Sequence, residues 1–181
     1  LGYWYHGNAD NEPTGARRAF EQGEFGEVYD RLSKLNDSDA NDDRVLAEMR
    51  QLADTTCSEG LRIYSRREFE EAGGLFELSY KAYTDVEDTV RVSLVTKHVQ
   101  KVRLMSEAAK LDRDRLWTKN GAVQVYKKVL VLDTEDTLAA NSLTAIGSKL
   151  EIEGQKWENE ANYQRAKGRY EAALTIWKIL S

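Results

Sequence analysis

Apolar residues recur every three or four positions over most of this chain, which is the spacing of one face of an α-helix. The longest such stretch, residues 86–118, contains neither Gly nor Pro. A second stretch over 135–166 has the same spacing, and Gly147 and Gly154 weaken it without breaking it. Strand signals are thin, because the Val-rich segment 124–132 also fits helical spacing. The pattern therefore predicts an all-α protein.

The predicted helices alternate between long and short ones. The long helices are expected near residues 43–65, 86–118 and 135–166, and the short ones near residues 26–36, 69–83, 121–132 and 169–180. Residues 1–15 stand apart, because the polar stretch 8–15 holds the only Pro and is typical of a linker. The sequence therefore predicts an N-terminal segment over 1–15 and a helical domain over 16–181.

Four short segments share a pattern of aromatic and small residues. The fourth is the most complete, with Gly168, Tyr170, Ala173 and Trp177 at successive spacings of two, three and four. Looser versions occur in the first and second segments, at these positions: Gly23, Phe25, Val28 and Leu32, then Phe69, Ala72 and Phe76. The third segment has Lys119 where the aromatic residue is expected.

This pattern resembles the tetratricopeptide repeat (TPR), in which a turn is followed by an aromatic, a small and a second aromatic residue. The resemblance implies a solenoid of helical hairpins, whose helices approach closely at the small residue. The copies lie 44 residues apart from Val28 to Ala72 and 51 apart from Ala122 to Ala173, against 34 in the family. The extra residues fall in the first helix of each pair. We therefore expect a TPR-like helical-hairpin solenoid with long first helices.

The resemblance also implies a function, that of a non-enzymatic scaffold for protein–protein interaction. A partner helix or extended peptide would lie in the concave groove. The positions that face this groove fall on Leu61, Tyr64 and Ser65, on Leu111, Asp114 and Arg115, and on Glu158, Asn162 and Arg165. Asn162 and Arg165 are the strongest candidates for partner contact. A structural part of a larger envelope or motor assembly is favoured over a peptide-binding adaptor.

The end of the chain predicts a second contact surface. The expected last helix carries more apolar residues than one neighbouring helix can cover. Ile176, Ile179 or Leu180 is therefore expected to leave an exposed apolar patch, which would pack on another chain, a second copy or further sequence.

Charge and chemistry narrow the function further. Lys and Arg total 26 and Asp and Glu total 31, a net charge of −5, which argues against nucleic acid as a partner. Cys57 is the only cysteine, so an internal disulfide is excluded and a buried, inert thiol is expected. No cofactor motif or enzyme signature is present. The alternative function is a helical domain that binds a lipid or another small molecule between its helices.

Metal sites are not expected either. His6 and His98 are far apart in sequence and form no metal motif. Asp37, Asp39, Asn41 and Glu48 have the spacing of a calcium-binding EF-hand loop, but Asp42 stands where such a loop needs Gly. A loop that caps the next helix is therefore the preferred interpretation.

The N-terminus bears on the compartment. Tyr3, Trp4 and Tyr5 are consecutive aromatics, as found where a transmembrane helix leaves the bilayer. Two interpretations stay open: a fragment that follows a membrane anchor, and a segment whose aromatics pack on the fold. We favour a bacterial periplasmic or membrane-anchored exported domain over a cytoplasmic one.

Overall fold

The computed structural model describes residues 16–38, 43–111 and 121–181. Within these residues the chain forms eight helices and no strand, and 88% of the residues are helical. The helices are α1 (Ala16–Glu21), α2 (Phe25–Ser38), α3 (Asp43–Ser65), α4 (Phe69–Asp85), α5 (Thr89–Leu111), α6 (Ala122–Leu132), α7 (Thr137–Asn159) and α8 (Tyr163–Leu180). The prediction of an all-α protein is confirmed. The segment 1–15 lies outside the described residues.

The long and short helices alternate as the periodicity predicts, but two predicted boundaries are wrong. α5 begins at Thr89 and not at residue 86, because residues 86–88 form a turn, and the division between the last two helices also differs. α3, α5 and α7 are the long helices, each of 23 residues, and α3 has the predicted bounds. α7 does not continue to residue 166; it ends at Asn159, and α8 begins at Tyr163. The side chain of Asn162 caps α8 by accepting a hydrogen bond from the Arg165 amide.

Four of the helix–helix turns share one geometry. Each has three residues between the helices, and the middle residue has a positive φ: 76° at Gly23, 66° at Arg67, 55° at Glu87 and 55° at Ala161. The chain closes these turns with backbone hydrogen bonds, such as Arg67 N to Tyr64 O at 2.9 Å and Ala161 N to Glu158 O at 2.9 Å. The left-handed conformation costs a residue other than Gly about 1–2 kcal/mol. Only the first of the four turns has a glycine at this position, so glycine placement in the sequence does not indicate the other three.

The described chain divides into two compact units. The first contains the residues up to Ile63 together with Glu71–Thr96. Its core includes Leu32, Met49, Leu52 and Phe76, all of which are fully buried. Two tyrosines of this unit donate hydrogen bonds between helices, Tyr29 to Asp85 at 2.8 Å and Tyr83 to Asp54 at 2.5 Å. Burial and the Asp85 carboxylate raise the pKa of Tyr29 to about 12.

The second unit contains Tyr64–Glu70 and Lys97–Ser181. Its most buried large side chains include Met105, Val129, Leu143, Leu150 and Ile176. α7 and α8 form an extensive antiparallel hairpin within this unit. This hairpin and its turn hold Glu158, Asn162, Arg165, Ile176 and Leu180, for which a binding role is predicted.

Two of the hairpins repeat the same spacing of helices and buried residues. α3 and α7 begin at residues 43 and 137, and α4 and α8 begin at residues 69 and 163, so both helices recur after 94 residues. Buried residues recur at the same interval, as in the pairs Met49 and Leu143, Leu52 and Ile146, and Ala72 and Ala166. The positive φ of Arg67 recurs at Ala161. The residues of one hairpin can therefore be compared directly with those of the other.

Candidate binding face of the C-terminal hairpin

Two glycines of α7 receive two aromatic rings of α8. A Cβ atom placed on Gly147 would lie 2.9 Å from Cζ2 of Trp177, and one on Gly154 would lie 2.8 Å from Cε1 of Tyr170. The glycines are seven residues apart on α7 and the aromatics seven apart on α8, which is two helical turns. Because neither glycine has a side chain, an aromatic ring of α8 lies directly against the backbone of α7 at each of these positions.

Each of these rings is also held by a glutamate four residues beyond its glycine. Trp177 Nε1 donates to Glu151 Oε1 at 2.9 Å, and the Tyr170 hydroxyl donates to Glu158 Oε2 at 3.0 Å. Desolvation of the hydroxyl and the Glu158 carboxylate raise the pKa of Tyr170. Both aromatic side chains are thus fixed in position at one edge of the hairpin.

The first hairpin repeats this packing. A Cβ on Gly60 would lie 2.9 Å from Cε1 of Phe76, and Gly60 and Phe76 lie 94 residues before Gly154 and Tyr170. Ser79, at the position of Ala173, donates its hydroxyl to the Ala53 carbonyl at 2.9 Å. Close approach at a glycine is therefore a property of both hairpins.

The two hairpins differ in how far a row of aromatics on the second helix is covered. We call Tyr163, Tyr170 and Trp177 the α8 row; the equivalent residues of α4 are Phe69, Phe76 and Tyr83. Phe76 is 0% and Tyr83 3% exposed, and Phe69 is half-buried. In the α8 row, Tyr163 is 67% exposed and the other two residues are half-buried. The α8 row is thus more open than its counterpart at every position.

Helix α5 contacts α4 near both ends of that counterpart row. In the first unit, the Arg91 guanidinium lies 5.5 Å from the centroid of the Tyr83 ring. In the second unit, Lys110 Nζ lies 3.6 Å from Glu70 Oε1. One cation of α5, Arg91, thus lies on a ring of the α4 row.

An open depression of about 380 Å³ runs beside the α8 row. Its lining residues are Glu158, Tyr163, Ala166, Lys167, Tyr170, Glu171 and Leu174. Leu174 is 53% exposed, and Lys167 Nζ lies 3.8 Å from Glu171 Oε1. The depression therefore combines exposed apolar surface with two carboxylates, a composition suited to a protein contact.

Tyr64, which is predicted to face the groove, is a core residue of the second unit. It is 6% exposed, and its hydroxyl donates to Asp136 Oδ2 at 2.8 Å. It is therefore unavailable to a partner, and the prediction for Tyr64 is wrong. Its predicted neighbours are more open, since Leu61 and Ser65 are exposed.

The groove predictions for the last hairpin assume that its first helix extends to residue 166, whereas α7 ends at Asn159. Asn162 and Arg165 lie at the start of α8 and not on the first helix of the hairpin. Arg165 Cζ lies 4.7 Å from the centroid of the Trp157 ring. Glu158 lies in the last turn of α7 and is exposed. The equivalents of Leu61, Tyr64 and Ser65 are Gln155, Glu158 and Asn159. Arg115 and Asp114 lie outside the described residues, and Leu111 is the last residue of α5.

The predicted apolar patch at the end of the chain is partly wrong. Ile176 is 1% exposed, because it lies on the side of α8 that packs within the unit. Leu180 is half-buried. The exposed apolar side chains of α8 are Tyr163 and Leu174, which sequence periodicity alone did not single out.

A second group of interacting polar residues lies inside the second unit. Lys101 Nζ lies 2.8 Å from Asp133 Oδ2 and 3.0 Å from Asp136 Oδ2, and 4.9 Å from the centroid of the Tyr64 ring. Asp136 also caps α7 by accepting from the Ala139 amide at 2.8 Å. Burial alone would lower the pKa of Lys101, but the hydrogen bonds to the two aspartates raise it. These bonds join α5 to both ends of the α6–α7 loop, so the group has a structural role.

The other candidate chemical groups are placed as follows. Cys57 is half-buried on α3, and burial raises the pKa of its thiol. His98 lies on α5, where burial and Lys101 lower its pKa. Among the described residues no group of three or more His, Cys, Asp or Glu could hold a metal ion. Asp39 and Asn41, two residues of the EF-hand-like spacing, lie outside the described residues. The expectation that this loop binds no calcium therefore stays a prediction.

Comparison with known proteins adds no family. None of the described helices is long and apolar enough to cross a membrane. The chain matches no protein-family model, no curated protein and no solved structure.

Proposed function

We propose that this protein is a non-enzymatic scaffold of TPR type, whose C-terminal hairpin binds a helix of another protein. The observation that carries this proposal is the recurrence of one hairpin, with the same glycine–aromatic packing, 94 residues later in the chain. Arrays of such hairpins serve as interaction surfaces, because each hairpin buries one side and leaves another for a neighbour.

The corrected register brings the hairpins closer to the TPR pattern. That pattern includes Gly-x-x-Tyr in the first helix and Ala-x-x-x-Phe in the second. The second copy has Gly60, Ile63, Ala72 and Phe76 at these positions, and the fourth has Gly154, Trp157, Ala166 and Tyr170. The turn aromatics become Phe69 and Tyr163, each the first residue of its helix. In this register Tyr170, which the sequence pattern predicts as the turn aromatic, stands at the final aromatic position of the Ala-x-x-x-Phe pattern.

The α8 row is the part of this scaffold best suited to a partner. Its equivalents on α4 are covered, whereas Tyr163 and Leu174 expose large apolar surfaces. Aromatic residues are enriched at the centres of protein interfaces, and exposed apolar patches mark such sites. This composition favours a structural component of a larger assembly over an adaptor with a polar peptide groove. Membership of an envelope or motor assembly stays part of the proposal.

Affinity capture from the native source tests this function. The baits are the unmodified chain, a Tyr163→Glu and Leu174→Glu double variant, and a Val131→Glu control that changes an exposed apolar residue of α6. We expect the first and third baits to capture the same partner, and the double variant to lose it. Circular dichroism checks that all three are equally helical. Equal capture by all three baits would contradict the assignment of the α8 row.

A further inference from the structure

We infer that the open side of α8 binds the same side of a second copy of this chain, with the two α8 helices antiparallel. This inference rests on the proposed function and deepens it, because it names the helix that binds there. The surface consists of Tyr163, Lys167, Glu171, Leu174 and Lys178, and we call it the α8 face. All five residues are exposed, and the first four line the depression beside the helix.

The side chains of the α8 face are open to a contact with another molecule. Tyr163 is 67% exposed and Leu174 is 53% exposed. The side chains of Lys167 and Glu171 are 72% and 66% exposed, and their ion pair with each other is long, at 3.8 Å. The face therefore offers two large apolar side chains with two accessible charges of opposite sign between them.

The apolar and the charged residues of the α8 face are centred on the same point of the helix. The midpoint between Tyr163 and Leu174 lies at 168.5 in the residue numbering, and the midpoint between Lys167 and Glu171 lies at 169. A second α8 that is reversed about this point therefore meets the apolar pair and the charged pair in one and the same register.

In that register the α8 face is complementary to itself. With a two-fold axis at residue 169, Lys167 of each copy would lie opposite Glu171 of the other, which gives two identical ion pairs. Tyr163 of each copy would lie beside Leu174 of the other, so the exposed apolar side chains would bury one another. Lys178 would lie just before the start of the other α8, where Glu160 is exposed. Opposite charges and apolar groups therefore match along the whole contact.

Other arrangements of two α8 helices lack this match. A parallel pair places each charged residue of the face against its own copy, and like charges in contact oppose association. An antiparallel pair that joins Glu171 to Lys178 is centred further along the helix. It separates Tyr163 of one copy from Leu174 of the other by about three helical turns. The charges and the apolar residues together thus favour a single register.

The size of the contact predicts a reversible dimer. A single pair of helices lies at the small end of protein interfaces, which weak and transient complexes occupy. We therefore expect dimers that dissociate on dilution from the high to the low micromolar range. Unfolding measured in the low micromolar range then reports on the monomer.

Sedimentation of the full chain across this concentration range tests the inference. The unmodified chain should change from monomer to dimer as its concentration rises. Leu174→Glu should stay monomeric, because it places a charge in the apolar part of the contact. Val131→Glu is the matched control, because Val131 is an exposed apolar residue of α6, and it should dimerise like the unmodified chain.

A charge exchange tests the register itself. Lys167→Glu and Glu171→Lys should each weaken self-association about tenfold, because each brings like charges together at both ends of the two-fold contact. A mixture of the two variants should form dimers again, because every facing pair is then opposite in charge. Arg31→Glu reverses one member of an ion pair with Glu27 on α2 and is the matched control, which should leave dimerisation unchanged. Circular dichroism checks that all variants are equally helical.

Three results would overturn the inference. Dimers that persist in both Lys167→Glu and Glu171→Lys would exclude this register. A mixture of the two variants that stays monomeric would show that the two charges do not face each other. A chain that stays monomeric at every concentration, but captures a different protein through Tyr163 and Leu174, would leave the proposed function standing and remove the second copy.

Discussion

The indole ring of Trp177 lies against the backbone of α7 at Gly147, where a Cβ atom would come within 2.9 Å of it. The hydrogen bond from Trp177 Nε1 to Glu151 keeps the ring in this place. Position 147 therefore has no room for a side chain, because the ring of a residue 30 positions further along the chain occupies that space. The same relationship between Gly154 and Tyr170 repeats it two turns away.

Gly147→Ala should destabilise the protein although alanine is the better helix former. The methyl group must displace the indole, at about 1–3 kcal/mol for overpacking, whereas the gain in helix propensity is only about 1 kcal/mol. Gly168→Ala is the control, because no atom lies within 4 Å of a Cβ at that helical position. It should raise the free energy of unfolding by up to about 1 kcal/mol. Urea denaturation measures both, and two changes of the same sign would disprove the packing.

Two neighbouring residues of α8 should respond in opposite ways to truncation. Ile176→Ala should lower the free energy of unfolding by about 2–5 kcal/mol, because it leaves a cavity in the core. Leu174→Ala should change it by no more than about 0.5 kcal/mol, because that side chain is largely exposed. Thermal unfolding followed by circular dichroism distinguishes the two. Similar losses at both positions would mean that α8 presents a different face.

Ala173 should not accept a large side chain. It is buried against α7 at the position of Ser79, so Ala173→Trp should cost about 1–3 kcal/mol or more through overpacking. Thr175→Trp, two residues away on the exposed side of α8, is the control and should melt near the unmodified chain. An unchanged melting temperature for Ala173→Trp would be incompatible with this helix orientation.

Lys101 should be essential to the second unit, and its contribution should depend on pH. Lys101→Met leaves the buried carboxylate of Asp136 without its cation, which should cost about 3–5 kcal/mol near neutral pH. Lys97→Met, on the exposed side of α5, should cost no more than about 0.5 kcal/mol.

The sign of the pH effect follows from Asp133. The hydrogen bond from Lys101 lowers the pKa of that carboxyl in the folded protein. A carboxyl of this kind stabilises the fold above its unfolded pKa of about 4 and stops doing so as the pH falls through the folded value. The difference in melting temperature between the unmodified chain and Lys101→Met should therefore shrink below about pH 4. A difference that stays constant would show that the ion pair is not its source.

Calcium is expected to leave the melting temperature unchanged. Asp43 would be the seventh residue of the loop, which donates its carbonyl to the ion. It is instead the first residue of α3, where that carbonyl accepts a helical hydrogen bond. Scanning calorimetry with millimolar calcium, and with magnesium as the comparison, measures this. A rise of several degrees with calcium alone would restore the site at Asp37–Glu48.

The sequence by itself determined the helical class, the alternation of long and short helices and the bounds of α3. These follow from apolar spacing, which is a local property of each segment.

Tertiary structure alone decided the register of the last hairpin and the face that α8 buries. In the sequence, Gly168 and Tyr170 have the pattern of a helix–helix turn. The actual turn is at Ala161 and has no glycine, because packing against α7 compensates for the cost of its left-handed backbone. Both sides of α8 are apolar, so periodicity could not tell that Ile176 is covered and Leu174 is open. Periodicity also could not predict the burial of Tyr64, because that burial depends on contacts with Lys101 and Asp136, which are 37 and 72 residues away along the chain.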